Sequence, residues 1–338
     1  MPRRTLITAV LLLWLAFALG LTSAVQKSPT MDEQNHIARG YAALRTGDFR
    51  LSVEHPPLVN QLSALPLLLL PDLCLPLEHP TWQQGEWYGF ADQFLWRANA
   101  DWVKQIVFLS RLPILALTVL LAALAYRWAR DLYGPWAGVL ALFLCALDPN
   151  LLAHGRLTTT DLGVTFFVFW AFYCLWRYHE KPGPSRLLLA GLSLGLALVS
   201  KYSALVFLPA WGGMQISKSA NQQIGKSRGV RGVVRGAMAM LLMLLVAYFT
   251  IWAAYRFSTG SLTPGGPPIP AIPYVRGLQA ILQRTAAGNP AFLMGRYSDK
   301  GWWYYFPVAF LLKTPCLLYT SDAADEGLGV DLGGRRII

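Results

Sequence analysis

The sequence predicts an all-α polytopic membrane protein, on the basis of its composition and its long apolar runs. The chain of 338 residues is 54% hydrophobic and only 14% charged, with a mean hydropathy of +0.39. A soluble domain usually carries about 25% charged residues. Several runs approach the roughly 20 apolar residues that a helix needs to cross a bilayer. The 13 Trp and 14 Tyr also suit aromatic belts at two membrane surfaces.

Eight apolar segments are predicted to form the membrane spans, and we take them in chain order. They cover about residues 5–25, 105–126, 136–153, 162–178, 186–200, 202–214, 237–256 and 302–315, the last of them incomplete. Arg3 and Arg4 precede the first span, which we interpret as an uncleaved anchor; a signal peptide cleaved after Ala24 is the alternative. The short fifth and sixth segments are predicted to form a helical hairpin that turns near Lys201.

Two connections between spans are long. Residues 26–104 form a first loop that is rich in Trp, Pro and charge, and Pro66 and Pro71 interrupt its one apolar stretch, Leu58–Leu75. That stretch is typical of a helix lying at the membrane surface, so the loop is predicted to carry interfacial helices. Residues 257–300 form a second long connection, rich in Pro and Gly.

The basic residues predict the orientation. Cytoplasmic loops are enriched in Lys and Arg, and the +11 net charge lies in short clusters between apolar runs, which argues for topology and against a nucleic-acid partner. An N-terminus in the cytoplasm puts these clusters inside: Arg127 and Arg130; Arg177, Lys181 and Arg186; Lys218, Lys226, Arg228, Arg231 and Arg235. The polar residues at or near the outer, extracytoplasmic face are then Asp32, Glu33, Glu54, His55, Asp161, Lys201, Arg284 and Arg296.

The last 23 residues, 316–338, differ in character from the rest of the chain. They resemble the conceptual translation of a sequencing-library adapter, so we predict that the native sequence stops near Pro315, inside a span that begins at Trp302. Residues 1–315 would then be the N-terminal part of the membrane domain, and a chain cut there is expected to be inactive by itself. A genuine polar C-terminus is the alternative.

Two outer-face motifs in the first loop could carry chemistry. Asp32-Glu33 follows Thr30, and such acids either favour a helix N-terminus or supply a general base. Glu54-His55 stands before two prolines and either caps the interfacial helix, contacts a phosphate through His55 or holds a divalent cation. Two candidate ligands are too few to predict a metal site. His36 is interpreted as an ordinary loop residue.

Two further outer-face residues lie at the membrane edge. Asp161 opens the fourth span and is either an N-terminal cap or a functional carboxylate. Lys201 lies between two short spans, against the positive-inside bias. It either extends its ammonium group to the surface or binds an anionic lipid phosphate. The four cysteines show no metal or disulfide spacing.

These motifs, in this order and on one face, resemble the GT-C membrane glycosyltransferases, and most of all the superfamily of protein O-mannosyltransferases and lipid A aminoarabinose transferases. The matching elements are Asp32-Glu33, Glu54-His55-Pro56-Pro57-Leu58, Thr160-Asp161, Lys201-Tyr202 and the segment from Gly301 to Pro315. Several relatives have Lys where this chain has His55. The resemblance covers about residues 1–315 and implies a GT-C-like helix bundle in the inner (plasma) membrane of a bacterium.

The resemblance also implies a reaction and roles for these residues. A hexosyl or pentosyl group would pass from a polyprenyl-phosphate donor to a hydroxyl of a protein, lipid or glycan acceptor, with inversion. Asp32 would be the base and Asp161 would position a substrate. The donor phosphate would be bound by Lys201 together with Arg296 or His55, with Glu33 and Glu54 in support. Some relatives bind a divalent cation near Glu54 and His55.

Two other classes of function remain open on sequence grounds. A transporter or flippase of a lipid-linked substrate is the main alternative, although such proteins place polar groups at mid-membrane, where the spans of this chain hold almost no charge. A non-catalytic assembly subunit is the third, and it would not need Asp32, Asp161 and Lys201 on one side.

Overall fold

A computed structural model describes residues 3–224, 229–288 and 290–313 of the chain. In these ranges the backbone is mostly helical, with two short antiparallel strand pairs. The all-α class predicted from the sequence is confirmed. The predicted tail 316–338 lies outside the described residues, as do Lys226 and Arg228 and the side chains of Lys218 and Arg231.

The helices are numbered here along the chain. They are α1 Arg3–Gln26, α2 Met31–Thr46, α3 Leu58–Ala64, α4 Pro80–Gln83, α5 Trp87–Asp92, α6 Val103–Tyr133, α7 Pro135–Ala146, α8 Pro149–His154, α9 Thr160–Glu180, α10 Pro184–Leu198, α11 Leu208–Ile224, α12 Gly229–Ala254, α13 Ile272–Ala287 and α14 Tyr305–Lys313. Short 3₁₀ helices cover Leu65–Leu69, Ala100–Trp102 and Tyr202–Phe207, and a π-helix covers Gln93–Ala98. The strands are β1 Thr259–Gly260, β2 Ile269–Pro270, β3 Ala291–Leu293 and β4 Arg296–Ser298.

The chain divides into two compact units, the first ending at Leu278 and the second beginning at Gln279. The first contains α1 to α12 and the β1–β2 pair. The second contains the β3–β4 hairpin, in which Leu293 is paired with Arg296, followed by α14.

Within the described residues, three helical stretches are long and apolar enough to cross a membrane: Arg3–Gln26, Ala100–Tyr133 and Val234–Ala254. Leu58–Leu69, Pro135–Ala146 and Pro184–Leu198 are shorter apolar helices. These spans carry many exposed apolar side chains, such as Leu11, Trp14 and Phe249. Such surfaces suit a lipid environment, where outward apolar side chains cost nothing.

Two segments differ from their predicted lengths because of proline. The interfacial helix predicted over Leu58–Leu75 leaves the α-helical form after Ala64, since Pro66 has no N–H to donate, and it ends at Leu69. The segment predicted as one span over 136–153 is divided into α7 and α8. There Asp148 caps a new helix by accepting the N–H of Leu151 at 2.8 Å, and Pro149 takes the first helical position.

The first loop folds into a lobe with its own hydrophobic core. Ile37 and Tyr41 of α2 pack with Phe90, Phe94 and other apolar residues of the loop, and with the start of α6. Burial of this many large side chains removes several hundred Å² of apolar surface from water. The lobe is therefore a rigid platform for the polar residues that it carries.

Helix α3 is held between three other elements. A Cβ on Gly40 of α2 would overlap the Asn60 carbonyl, and one on Gly163 of α9 would overlap Val59. The backbone N–H of Leu58 also donates to the carbonyl of Val199 at the end of α10, at 3.2 Å. Glycine at these two positions permits the close approach. The Glu54-His55 motif, just before α3, is thereby held close to the residues that follow α10.

Candidate functional site

A polar cavity of about 180 Å³ lies where α2, the Glu54-His55 motif, the start of α9 and the segment after α10 meet. Five residues selected from the sequence line it together: Asp32, Glu54, His55, Asp161 and Lys201. The remaining lining residues are Asn35, His36, Arg39, Trp87, Thr159 and Thr160. Glu33 lies behind the wall of the cavity. Arg296 is an exposed residue on β4 of the second compact unit.

One face of α2 forms a wall of the cavity. Asp32, Asn35, His36 and Arg39 follow one another at helical spacing, so their side chains project from the same side of the helix. Among the described residues, no hydrogen bond or ion pair engages the exposed Asp32 carboxylate. Asp32 is thus a carboxylate at the opening of the cavity that is available to a substrate.

Glu33 has the opposite environment, because it is completely buried. It accepts two hydrogen bonds from the guanidinium of Arg111, at 2.8 and 2.7 Å, and one from the N–H of Thr158, at 2.9 Å. The N–H of Thr30 donates to the same carboxylate at 2.8 Å, which fixes the first turn of α2. Burial alone would raise the pKa of Glu33, but these donors keep the pKa below its usual value.

Arg111 extends this arrangement to the end of α1. Its guanidinium also donates to the backbone carbonyls of Ala24, Lys27 and Ser28, at 2.8, 2.8 and 2.9 Å. We call the Glu33–Arg111 pair, with these backbone partners and Thr158, the buried clamp. It joins α1, α2 and α6 to the segment that leads into α9, and so helps to hold Asp32 and Asp161 in the lining of one cavity.

Asp161 and Lys201 form an ion pair in the lining of the cavity. The ammonium of Lys201 lies 2.6 Å from a carboxylate oxygen of Asp161, and the two side chains are 26% and 62% exposed. An exposed ion pair contributes little to stability. Both groups therefore remain accessible to a ligand at the start of α9.

Arg39 forms another part of the cavity lining. This side chain is 98% buried; it donates to Glu54 at 3.3 Å and lies 4.2 Å above the ring of Trp87. A planar guanidinium is suited to such simultaneous stacking and hydrogen bonding. Arg39 is accordingly held in one orientation by two neighbours.

Two histidines line the cavity beside Arg39. The ring of His36 lies 5.1 Å from that of His55, and its Nδ1 is 3.0 Å from the side-chain oxygen of Asn60. Burial and the charge on Arg39 lower the pKa of His36 to about 4. Burial, His36 and the nearby cations lower the pKa of His55 to about 2. Both rings are therefore neutral at pH 7, and His55 can contact a phosphate only as a neutral hydrogen-bonding group.

The described residues form no three-ligand metal centre at the cavity. Glu54 is engaged by Arg39, and His55 is the only nearby ligand that the sequence suggested. In the part of the chain that the structure describes, no group of three or more His, Cys, Asp or Glu residues could hold a metal. A structural or catalytic metal normally has at least three protein ligands.

Several residues of the site were not selected from the sequence. The interpretation of His36 as an ordinary loop residue is wrong, because it lies on α2 and lines the cavity. The helical spacing from Asp32 would have indicated Asn35, His36 and Arg39. Arg111 is an arginine inside an apolar span, which is itself a sign of function or pairing. No local signal indicates Trp87, which joins the site through the folding of the lobe.

Comparison with known proteins adds one finding. Residues 107–252, somewhat under half of the chain, match the family described as dolichyl-phosphate-mannose-protein mannosyltransferase. The matched segment includes Arg111, Asp161 and Lys201 and begins after the first loop. No curated protein matches the chain significantly.

Proposed function

We propose that this chain transfers a sugar from a polyprenyl-phosphate donor at the outer face of the membrane, with inversion. The family match supports a GT-C-type membrane glycosyltransferase that uses such a donor. The observation that carries the proposal is the exposed carboxylate of Asp32, which lines the same cavity as the Asp161–Lys201 pair. A base and a cation on two sides of a reacting bond are what such a displacement needs.

In the proposed reaction, an acceptor hydroxyl enters beside Asp32. Asp32 takes the hydroxyl proton while the oxygen attacks the anomeric carbon of the donor. The bond from that carbon to the phosphate oxygen breaks on the opposite side, and its electron pair leaves with the polyprenyl phosphate. One C–O bond forms and one breaks, so the configuration inverts and no oxidant or further reactant is required.

Lys201 would stabilise the negative charge on the leaving phosphate, and Asp161 would hold Lys201 in place. The 2.6 Å pair supports this role because Asp161 fixes the ammonium group at the membrane edge, where a lipid phosphate lies. His55 would add a neutral hydrogen bond at most. Arg296 remains a prediction from the resemblance, to be tested separately by Arg296→Ala. No step of this mechanism is routed through a divalent cation.

The sidedness of the site is part of the proposal. Exposed or half-exposed basic residues, among them Arg127, Arg177 and Lys181, lie toward the ends of α6 and α9 that are remote from the cavity. Basic residues concentrate on the cytoplasmic side of bacterial membrane proteins. The N-terminus is then cytoplasmic and the cavity extracytoplasmic, in the inner membrane. The acceptor is a protein, lipid or glycan hydroxyl on that side.

The test is Asp32→Asn in the full-length protein, assayed as transfer of labelled sugar from polyprenyl-phosphate mannose to cell-envelope acceptors in membranes. Loss of a general base usually lowers the rate by about 10²- to 10⁴-fold, so we expect transfer to fall by that factor. Asp48→Asn is the matched control, because Asp48 is a partly exposed carboxylate of the same loop, paired with Arg50 outside the cavity. Undiminished transfer by Asp32→Asn would show that Asp32 is not the base. Translocation of the donor across the membrane of proteoliposomes without sugar transfer would show that the protein is a flippase and not a transferase.

A further inference from the structure

Several buried polar atoms without partners lie around the cavity. Among the described residues, they include Asn35 Oδ1, Arg39 Nε, His55 Nδ1 and Thr159 Oγ1, each on a residue that lines the cavity. Asn35 is 95% buried and Arg39 is 98% buried. Leaving such a group without a hydrogen bond costs about 1–3 kcal/mol. Four of them around one cavity indicate that a ligand supplies the missing partners.

The four atoms differ in hydrogen-bonding character. Asn35 Oδ1 can only accept, Arg39 Nε can only donate, and the hydroxyl of Thr159 and the neutral ring of His55 can do either. A phosphate offers acceptors alone, so it would leave Asn35 Oδ1 without a partner. A sugar hydroxyl both donates and accepts. The mixed set therefore matches a polyhydroxyl ligand better than an anion.

The charges around Arg39 lead to the same conclusion. Arg39 already has Glu54 as a counter-ion at 3.3 Å, and both histidines are neutral at pH 7. An anion would gain little attraction from Arg39 or from the two histidines. A cavity of about 180 Å³ is also smaller than the roughly 300–1,000 Å³ typical of drug-sized ligand sites, and it suits a group the size of one sugar ring.

The position of the groups gives the donor a direction in the cavity. Asp161 lies in the first turn of α9 and Lys201 just after the end of α10, whereas Arg39, Glu54 and Trp87 belong to the folded lobe of the first loop. A donor whose lipid lies in the membrane would bring its phosphate to Lys201 and extend its sugar toward the lobe.

We propose that Asn35, Arg39, Glu54 and Trp87 form a sugar subsite, which binds the hydroxyls of the donor sugar and determines which sugar is accepted. Arg39 and Glu54 present planar polar groups that can each hold two adjacent hydroxyls, and Trp87 fixes the plane of Arg39. This inference rests on the proposed function for the identity of the donor, but it concerns binding and not the transfer step.

The experiment measures binding to the full-length Asp32→Asn protein, so that no turnover occurs. The probes are citronellyl phosphate and its mannosyl, glucosyl, galactosyl and arabinosyl esters, titrated by calorimetry in detergent. One or two well-formed hydrogen bonds correspond to roughly tenfold or more in affinity, so we expect at least one sugar to bind about tenfold more tightly than bare citronellyl phosphate.

Two variants then show which residues provide the gain in affinity for the sugar ester. Asn35→Ala and Arg39→Lys should each abolish most of the advantage of the sugar ester and leave the affinity for citronellyl phosphate unchanged. Lys201→Met should weaken all five probes by the same factor. Arg50→Lys is the matched control, since Arg50 lies 4.8 Å above Trp82 in the same lobe but outside the cavity, and it should change nothing. Asn35→Ala keeps the inference testable if Arg39→Lys fails to fold.

Three results would overturn the inference. In the first, none of the four sugars adds affinity; in the second, the advantage of the sugar survives both subsite variants. In the third, Arg39→Lys weakens citronellyl phosphate as much as its sugar esters, which would make Arg39 a phosphate ligand. These outcomes are independent of the transfer assay. A sugar-dependent gain in affinity together with normal transfer by Asp32→Asn would reject the proposed base and leave the sugar subsite standing.

Discussion

Adjacent carboxylates at the start of α2 have different tasks because successive helical residues point about 100° apart. Asp32 is directed to the cavity and remains without a partner in the described part of the chain. Glu33 is directed inward and is satisfied by Arg111, Thr158 and Thr30. The reading as a helix start therefore applies to Glu33, and the reading as a base stays a proposal for Asp32.

The neutral histidines predict a dependence of stability on pH. His36 has a pKa of about 4 in the folded protein and an ordinary value of 6.5, so between these values the unfolded chain binds the proton more readily. Its contribution to stability is complete above pH 6.5 and is lost as the pH falls toward 4. At pH 5 we expect a loss on the order of 2 kcal/mol from this residue.

Thermal unfolding in detergent at pH 7.5 and pH 5 measures this effect. The Tm of the unmodified protein should fall on acidification, and His36→Gln should show a smaller fall. His154→Gln is the control, because His154 is exposed and lies outside the cavity. An identical fall in the His36 variant would contradict the buried, neutral state of this ring.

At the scale of helices, the buried clamp is the strongest connection between the first loop and the membrane helices. Its two charged members are 0% and 1% exposed, and their hydrogen bonds reach α1, α2, α6 and the segment before α9. Removing one member of a buried ion pair leaves the other charge uncompensated and usually costs about 3–5 kcal/mol. We therefore expect Glu33→Gln and Arg111→Met each to lower the Tm strongly.

The double variant tests whether Glu33 and Arg111 stabilise the protein as a pair. Because a neutral pair leaves no buried charge, Glu33→Gln with Arg111→Met should recover part of the loss of the single variants. Asp32→Asn, one residue away but exposed, should leave the Tm unchanged and serves as the control. Additive losses in the double variant would show that the two side chains do not act together.

The orientation belongs to the whole molecule, and Cys74 is a natural probe of it. This cysteine is exposed in the first loop, whereas Cys174 is buried in α9. In the background Cys145→Ser, Cys174→Ser and Cys316→Ser, a membrane-impermeant maleimide should label Cys74 in intact spheroplasts. Adding Cys74→Ser should abolish the label.

A cysteine placed on the opposite side completes the test. Glu180→Cys with Cys74→Ser lies at the predicted cytoplasmic end of α9 and should react only after the membrane is permeabilised. Labelling of position 180, and not of Cys74, in intact spheroplasts would reverse the orientation and move the cavity to the cytoplasm.

Composition and long apolar runs were sufficient to predict the helical membrane class, because both can be read from the sequence alone. The motifs also indicated five residues that line one cavity, since each motif lies beside a predicted helix end. The lengths of α3 and α7 were harder to predict, because proline and a local Asp148 cap outweigh apolar composition there. Trp87 could not be recognised, because its contact with Arg39 depends on the tertiary packing of the lobe.

The buried clamp also bears on how the protein is made. Glu33 and Arg111 are 78 residues apart in the chain, and Thr158 is 125 residues from Glu33. During synthesis from the N-terminus, the Glu33 carboxylate has no counter-ion until α6 has left the ribosome, so burying it earlier would be costly. We therefore expect the first loop to remain outside the membrane, with the Glu33 carboxylate in water, until then. Arg111 becomes available when α6 is inserted, and the cavity is complete only after the start of α9 has been synthesised.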